Sequence, residues 1–468
     1  MLLSTSAYFV FLLGIFFLYW PVSRYRAVSL SLILFANYFF YAKWGLVYLF
    51  LIPAASTCDY LIGLALERTA RYALRRALVT ASVALNLTLL GSFKYVPFFF
   101  ENYSVISGLA APQWHWTGAL GLSFYAFQSL TYTIDVYRRD LKATRSLLAH
   151  LASVSFFPTA LAGPITRVGQ LLPQWDNQKV LSAEDGGKAL FLIGTGLAKK
   201  LLIADYLAAN LVNRVFDLPN LYSSFEALIA VYGYALQLYY DFSGYSDIAI
   251  GSALLLGIKL PVNFNSPYRA RNIADFWRRW HISLSNWLRD YLYFSLPGLR
   301  SKSRAWAYGG LIATMLLGGL WHGPSWTFAI WGLLHGIALA VQRGWQVWRG
   351  NTTPSSQLWT RAVCAFFTVH FVCFAWIFFR AESFDNALAI LERLASFSFS
   401  TVNIRAEYWI VVLVAAFLHY VPNEWHKRCR DFYSASPFYA QAAAMLVLVI
   451  AIEYVAQTGA APFIYTKF

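Results

Sequence analysis

The chain has 468 residues, of which 59% are hydrophobic, 18% aromatic and only 13% charged. Soluble domains carry about 25% charged residues, so a string of soluble domains is excluded in favour of a protein that crosses a membrane many times. A net charge of +15 would suggest nucleic acid for a soluble chain, but here Lys and Arg sit in short clusters between apolar runs, as the positive-inside pattern requires, and no nucleic-acid partner is expected.

Residues 1–20 lack the basic leader and cleavage site of a secretory signal, so this run is expected to persist as the first span. Further spans, each needing about 20 mainly apolar residues, are predicted near 27–43, 45–66, 77–93, 118–137, 146–163 and 189–213. Others are predicted near 225–240, 245–260, 307–321, 324–342, 361–379, 407–422 and 438–457. Some are short enough to be re-entrant or interfacial. The expected fold is all-α: one polytopic membrane domain over 1–468, with about 11–14 transmembrane, re-entrant and interfacial helices around a central cavity. Only 164–188, 299–306, 343–360 and 423–436 read as soluble connections.

Orientation follows from the basic loops. Arg24 and Arg26, then Arg68, Arg71, Arg75 and Arg76, then Arg138, Arg139, Lys142 and Arg145 emerge on one face if the spans alternate. That face is the cytoplasmic one, with Met1 outside. Cys58, Cys364, Cys373 and Cys429 form no CxxC pair, so neither a disulfide framework nor a zinc site is expected.

Three stretches carry chemistry. In "LYYDFSGYSDIAIG" (238–251), Asp241 and Asp247 stand in an apolar run. They are read as partners of arginines such as Arg269, Arg278 or Arg279, as ends of two short helices, or as a proton or cation path. In "NFNSPYRARNIADFWRRWHISLSNWLRDYLYFSLPG" (263–298), Asn272 followed by Asp275 marks a helix start. Helical periodicity continues to about Phe294 and puts Trp277, His281, Ser285 and Leu288 on one stripe. Either this is an interfacial helix with a tryptophan belt, or it turns His281 towards a polar cavity.

In "LLGGLWHGPSWTFAIWGLLHG" (316–336), His322 is a polar side chain inside a span. It is a functional candidate, or a structural histidine near the backbone break at Pro324. Gly318, Gly319 and Gly323 suit close approach of a backbone or ligand. On one unbroken helix His322 and His335 would lie about 20 Å apart, out of reach of a shared metal. A haem would need a histidine from a second span; His281, His370 and His419 are candidates, but no second pair with the same spacing accompanies them. No P-loop, dinucleotide fingerprint, HExxH or GxSxG is present.

"YDFSGYSDIAIG" (240–251), "NFNSPYRARNIADFWRRWHISLSNWLRDYLYF" (263–294) and "GGLWHGPSWTFAIWGLLHG" (318–336) together resemble the core of the membrane-bound O-acyltransferases. With "FPTALAGPITRVGQLLPQ" (157–174), they are most similar to the bacterial polysaccharide O-acetylase branch. One departure is Leu296-Pro297-Gly298-Leu299, where that branch is expected to have a glycine pair.

The resemblance implies that His322 is catalytic and His281 a second important polar residue. It also implies a multi-pass protein of the bacterial inner membrane that moves acetyl from a cytoplasmic donor, acetyl-CoA, to hydroxyls of an exported alginate- or cellulose-type polysaccharide. Transfer would be direct or through periplasmic acetylation proteins, with no tightly bound cofactor or metal. Burial favours an uncharged imidazole at His322, suited to general-base work. Trp321, Asn286, Asp241 and Tyr245 are candidate substrate contacts, and membrane lipid is an expected partner. Two rivals remain at this stage: D-alanyl transfer within the same family, and a proton-coupled transporter or flippase.

Overall fold

A computed structural model describes residues 1–110, 112, 121–161, 163–176, 180–296, 303–350 and 357–455. Among these residues there are helices and no strands. Two compact units emerge, one of 1–193 with 245–261, the other of 194–244 with 262–468.

By length and composition, four helices can cross a membrane: Tyr48–Arg68, Tyr72–Ser107, Leu358–Arg380 and Phe438–Val455. A fifth arises if Ala406–Tyr420 and Asn423–Ala435, bent by 92°, count as one span. The protein is therefore an all-α polytopic membrane protein. Ser6–Val22 and Arg26–Ala42 are apolar helices of 17 residues. The run read as a span at 146–163 holds only Leu147–Val154 and a 3₁₀ turn at Phe157–Thr159. Part of the 118–137 run, and the end of the 438–457 run, lie outside the described residues.

In the first unit one buried carboxylate ties three helices. Asp59, fully buried on Tyr48–Arg68, accepts from Ser82 (2.7 Å), Asn86 (2.8 Å) and Ser129 (2.7 Å). Without water, such a carboxylate persists only where its lone pairs are met by donors from neighbouring helices. At one end of this bundle Arg75 donates to the carbonyls of Val136 (3.2 Å) and Tyr137 (2.6 Å), the exposed carbonyls of a helix C-terminus. A residue counted for topology thus also closes a helix end.

In the second unit the helix from Ala183 passes through π-helical turns at Ala198–Ala204 and Ala208–Val212 before ending at Asp217. The first widened turn carries Lys200, 1% exposed, between Asp205 (2.7 Å) and Asp241 (2.8 Å). Asp241 is thus paired by a lysine, not by the arginines expected. Nor do the two acids end short helices: Ser224–Leu255 is one helix of 32 residues. Gly244 lets this helix approach closely, since a Cβ there would lie 2.7 Å from the Gly196 carbonyl oxygen.

Two runs read as soluble connections are helical. Residues 423–436 form the helix Asn423–Ala435, and the helix from Trp326 continues to Arg349. That helix and Arg304–His322 make a tight hairpin. A Cβ on Gly319 would collide with the Phe328 carbonyl, one on Gly332 with the Met315 carbonyl, and one on Gly336 would lie 2.8 Å from the Ile312 Cα. Small residues at this spacing let helix backbones touch where burial from water supplies no driving force.

Two stability predictions follow from these contacts. Gly332→Val overpacks the hairpin and costs about 1–3 kcal/mol, read as a lower unfolding temperature in detergent, whereas Gly309→Ala, at a position open to 4 Å, does not lower it. Lys200→Met strands two buried acids and costs about 3–5 kcal/mol; adding Asp241→Asn restores part of the loss in the same measurement.

Candidate functional site

The WHG segment closes the glycine hairpin. His322 is the last residue of its helix, Gly323 is extended, and Ser325 caps the return helix by accepting from the Thr327 N–H (3.3 Å). The chain turns here because Pro324 has no N–H to continue the first helix.

His322 is 3% exposed and enclosed by aromatic rings, with centroids of Trp321 at 5.0 Å, Trp331 at 5.1 Å and Phe379 at 5.2 Å. The ring lines neither of the two cavities described below.

His335 lies on the return helix, and its ring is 5.0 Å from Trp331, which also faces His322. The hairpin therefore places both histidines against one indole, so the separation calculated for an unbroken helix does not apply. No group of three metal-ligating side chains occurs among the described residues. The Trp277 Nε1–H donates to His335 Nδ1 (3.3 Å), which puts the proton of a neutral His335 on Nε2.

The segment 272–294 is not one helix. Asn272 caps as expected, its Oδ1 accepting from the Asp275 N–H at 2.8 Å. The first helix, however, ends at Trp277, and His281 has φ +42° before a second helix spans Ile282–Trp287. A π-helical turn at Leu288–Leu292 follows. The left-handed residue breaks the stripe from Trp277 through His281 to Ser285. It also buries His281 completely.

Asn263 holds the His281 ring. Its Oδ1 accepts from Ser283 N (3.3 Å) and Ser283 Oγ (2.9 Å) and lies 3.1 Å from His281 Nδ1. An oxygen at that position makes Nδ1 the donor, so a neutral His281 carries its lone pair on Nε2. His281 joins His322 through a continuous series of rings: Phe242, Phe264, Trp280, Trp376 and Phe379, with successive centroids 4.6 to 5.2 Å apart.

Trp321 is buried beside His322. Asn286 sits half-buried near the end of the Ile282–Trp287 helix. Asp241 belongs to the Lys200 cluster, and Tyr245 lies in the other compact unit, its hydroxyl 3.5 Å from Ser4 Oγ. Of the divergent loop, Leu296 is described; Pro297, Gly298 and Leu299 lie outside the described residues.

A cavity of about 830 Å³ opens beside the hairpin, lined by Trp277, Ser285, Leu288, Thr314, Met315 and Tyr308. Arg289, Arg304 and Arg343 complete its wall. Its volume is that of a small-molecule or cofactor site. Trp277 connects it to His335, Trp331 and His322. A second, polar basin of about 240 Å³ is lined by Asn265, Arg269, Arg271, Arg279, Asn423 and Glu424.

Sequence reading missed Asn263, Lys200 and the position of Trp331 between two histidines. Asn263 lies in the quoted "NFNSPYR" segment, but its role depends on a chain reversal that carries no periodic signal.

The model of the membrane-bound O-acyltransferase family matches residues 7–384. A "Peptidoglycan O-acetyltransferase" of Helicobacter pylori is 38% identical over 384 residues, covering 76% of this chain and 72% of that one. A "Probable alginate O-acetylase AlgI" of Pseudomonas aeruginosa is 39% identical over 410 residues, 86% of this chain and 76% of that one. A "Teichoic acid D-alanyltransferase" of Bacillus subtilis is 31% identical over 281 residues, 57% of this chain and 70% of that one. With an all-helical membrane fold and buried histidines at both expected segments, the chain belongs to the membrane-bound O-acyltransferase family and is an O-acyltransferase.

Proposed function

We propose that the protein acetylates an exported bacterial polysaccharide, taking acetyl from acetyl-CoA on the cytoplasmic side of the inner membrane. Similarity to an alginate O-acetylase and a peptidoglycan O-acetyltransferase over more than three quarters of the chain carries the acceptor class. The acceptor hydroxyl belongs to the glycan itself or to a periplasmic partner protein that passes the acetyl on.

The two ends of the second unit differ in charge. At one end Arg380 bonds Asn213 (3.0 Å) and pairs with Asp217 (3.3 Å), so a basic and an acidic residue meet there. At the other end, Asn423 meets Asn265 (2.8 Å), Tyr420 meets the Tyr268 carbonyl (3.1 Å) and Ala274 N meets Gln342 (2.9 Å). This end carries Arg269, Arg271, Arg278, Arg279, Lys427 and Arg428 against Asp275 and Glu424. The positive-inside rule assigns it to the cytoplasm.

The larger cavity has the composition needed for the donor: apolar and aromatic walls for a pantetheine-like arm, and arginines for phosphate oxygens. At His322, the imidazole accepts the hydroxyl proton as oxygen bonds to the thioester carbonyl carbon. The carbon–sulfur bond then breaks, and the leaving thiolate takes that proton back. General-base assistance of this kind contributes about 10²–10⁴ in rate, and exclusion of water limits thioester hydrolysis.

His322→Ala is expected to abolish acetyl on exported polysaccharide, by mass analysis of the polymer, while the protein still accumulates in the membrane; retained acetylation overturns the assignment. Thr314→Trp, filling the larger cavity, is expected to raise KM for acetyl-CoA with purified enzyme. Labelling from an aminoacyl carrier protein and not from acetyl-CoA would establish D-alanyl transfer instead.

A further inference from the structure

The polar basin of Asn265, Arg269, Arg271, Arg279, Asn423 and Glu424 shares no lining residue with the larger cavity. Three guanidinium groups face one carboxylate across it. Arg279 is engaged by Asp275 (3.0 Å). The side chains of Arg269 and Arg271 make no hydrogen bond or ion pair among the described residues. We propose that this basin binds a phosphoryl group, and that its occupancy braces the turn that carries His281.

Size and chemistry define the ligand. About 240 Å³ holds a phosphate with some of its hydration, and planar guanidinium forks match phosphate oxygens in pairs. The Nδ2–H groups of asparagine add neutral donors. Glu424 disfavours an anion, but the lining arginines outnumber it.

The link to His281 is covalent and short. Asn265 N donates to the Arg279 carbonyl (2.9 Å), and Ile282 N donates to the Asn263 carbonyl (2.9 Å), so 263–265 and 279–282 run as two clamped strands of backbone. His281, in this clamp, and Ser266, the residue just after its first strand, have left-handed φ values of +42° and +43°. Such non-glycine conformations are strained and persist only where their surroundings hold them. An anion held by Arg269 and Arg271 and shared with Asn265 and Arg279, one from each segment, fastens the two together and thereby keeps the His281 ring on Asn263.

The same chemistry is available from an anionic lipid headgroup and from free phosphate in the cytoplasm. The lipid source has structural support beside the basin. The helix Asn423–Ala435 bends away from its predecessor by 92° and has no buried residue. It exposes Trp425 (60%) and Phe432 (78%) on one side, with His426 and Arg430 at one flank and Arg428 at the other. That pattern suits a helix lying in an anionic interface. The inference rests on the membrane orientation above, but not on the acetyl-transfer chemistry.

The test uses the full-length protein in nanodiscs of phosphatidylcholine, with and without phosphatidylglycerol, and with inorganic phosphate as the soluble probe. Ligand binding is read by ³¹P line broadening, and the turn by hydrogen exchange at amides 279–283. Wild-type protein is expected to broaden one of the two probes and to slow exchange across 279–283 when that probe is present. Arg269→Gln/Arg271→Gln is expected to weaken binding at least tenfold and to remove the protection. Arg278→Gln, which removes a neighbouring charge from an exposed side chain outside the basin, leaves both unchanged. Protection by phosphatidylglycerol alone identifies a lipid headgroup; protection by phosphate in pure phosphatidylcholine identifies a free anion. Absence of binding, equal binding by the double variant, or binding without slower exchange each overturns the proposal. His322→Ala retains the binding, which separates this result from failure of the acetyl-transfer reading.

Discussion

Inside a bilayer the chain has no water with which to satisfy a stranded polar group, so every buried donor, acceptor and charge must find its partner within the protein. Four features answer to that constraint. Asp59 collects three side-chain donors, Lys200 is held by two carboxylates, Asn263 receives Ser283 and holds His281, and Arg75 takes up the carbonyls at a helix end. Each fixes elements distant in sequence. Burying such groups costs more than leaving a helix apolar, and what they supply is register and orientation.

The candidate site uses the same constraint twice. At the hairpin, glycine lets two backbones touch, and the sharp return at Gly323–Ser325 sets both His322 and His335 against Trp331. At His281 the chain adopts a left-handed residue in mid-segment and secures the ring through an asparagine from another stretch. In an O-acyltransferase water competes with the acceptor hydroxyl for the acyl group, and burying the imidazoles among aromatic side chains limits that competition.

Positive charge has more than one use in this protein. The basic loops set topology, Arg75 completes a helix end, the arginines of the larger cavity suit an anionic donor, and those of the small basin adjoin the His281 turn. A count of Lys and Arg registers all of these as one signal. Their separation depends on which guanidinium groups already have partners.

Composition and hydropathy by themselves determined the class: an all-helical membrane protein, because spans of apolar residues with so little charge have no other stable home. Motif likeness located the two histidine segments within the family, since His322 and His281 sit in short local patterns. Local signals also found the Asn272 cap and the small-residue contacts at Gly319. What needed tertiary structure was everything set by contacts between distant segments. Asp241 chose Lys200 over the arginines because a widened helical turn carries that lysine to it. The expected helix through His281 broke because the Asn263 clamp outweighs helical periodicity there. Two short spans merged into Ser224–Leu255, since Gly244 permits a close crossing that a periodicity count does not register. The enclosure of His322 was likewise decided in three dimensions: Phe379, more than fifty residues later in the chain, reaches it from the helix Leu358–Arg380.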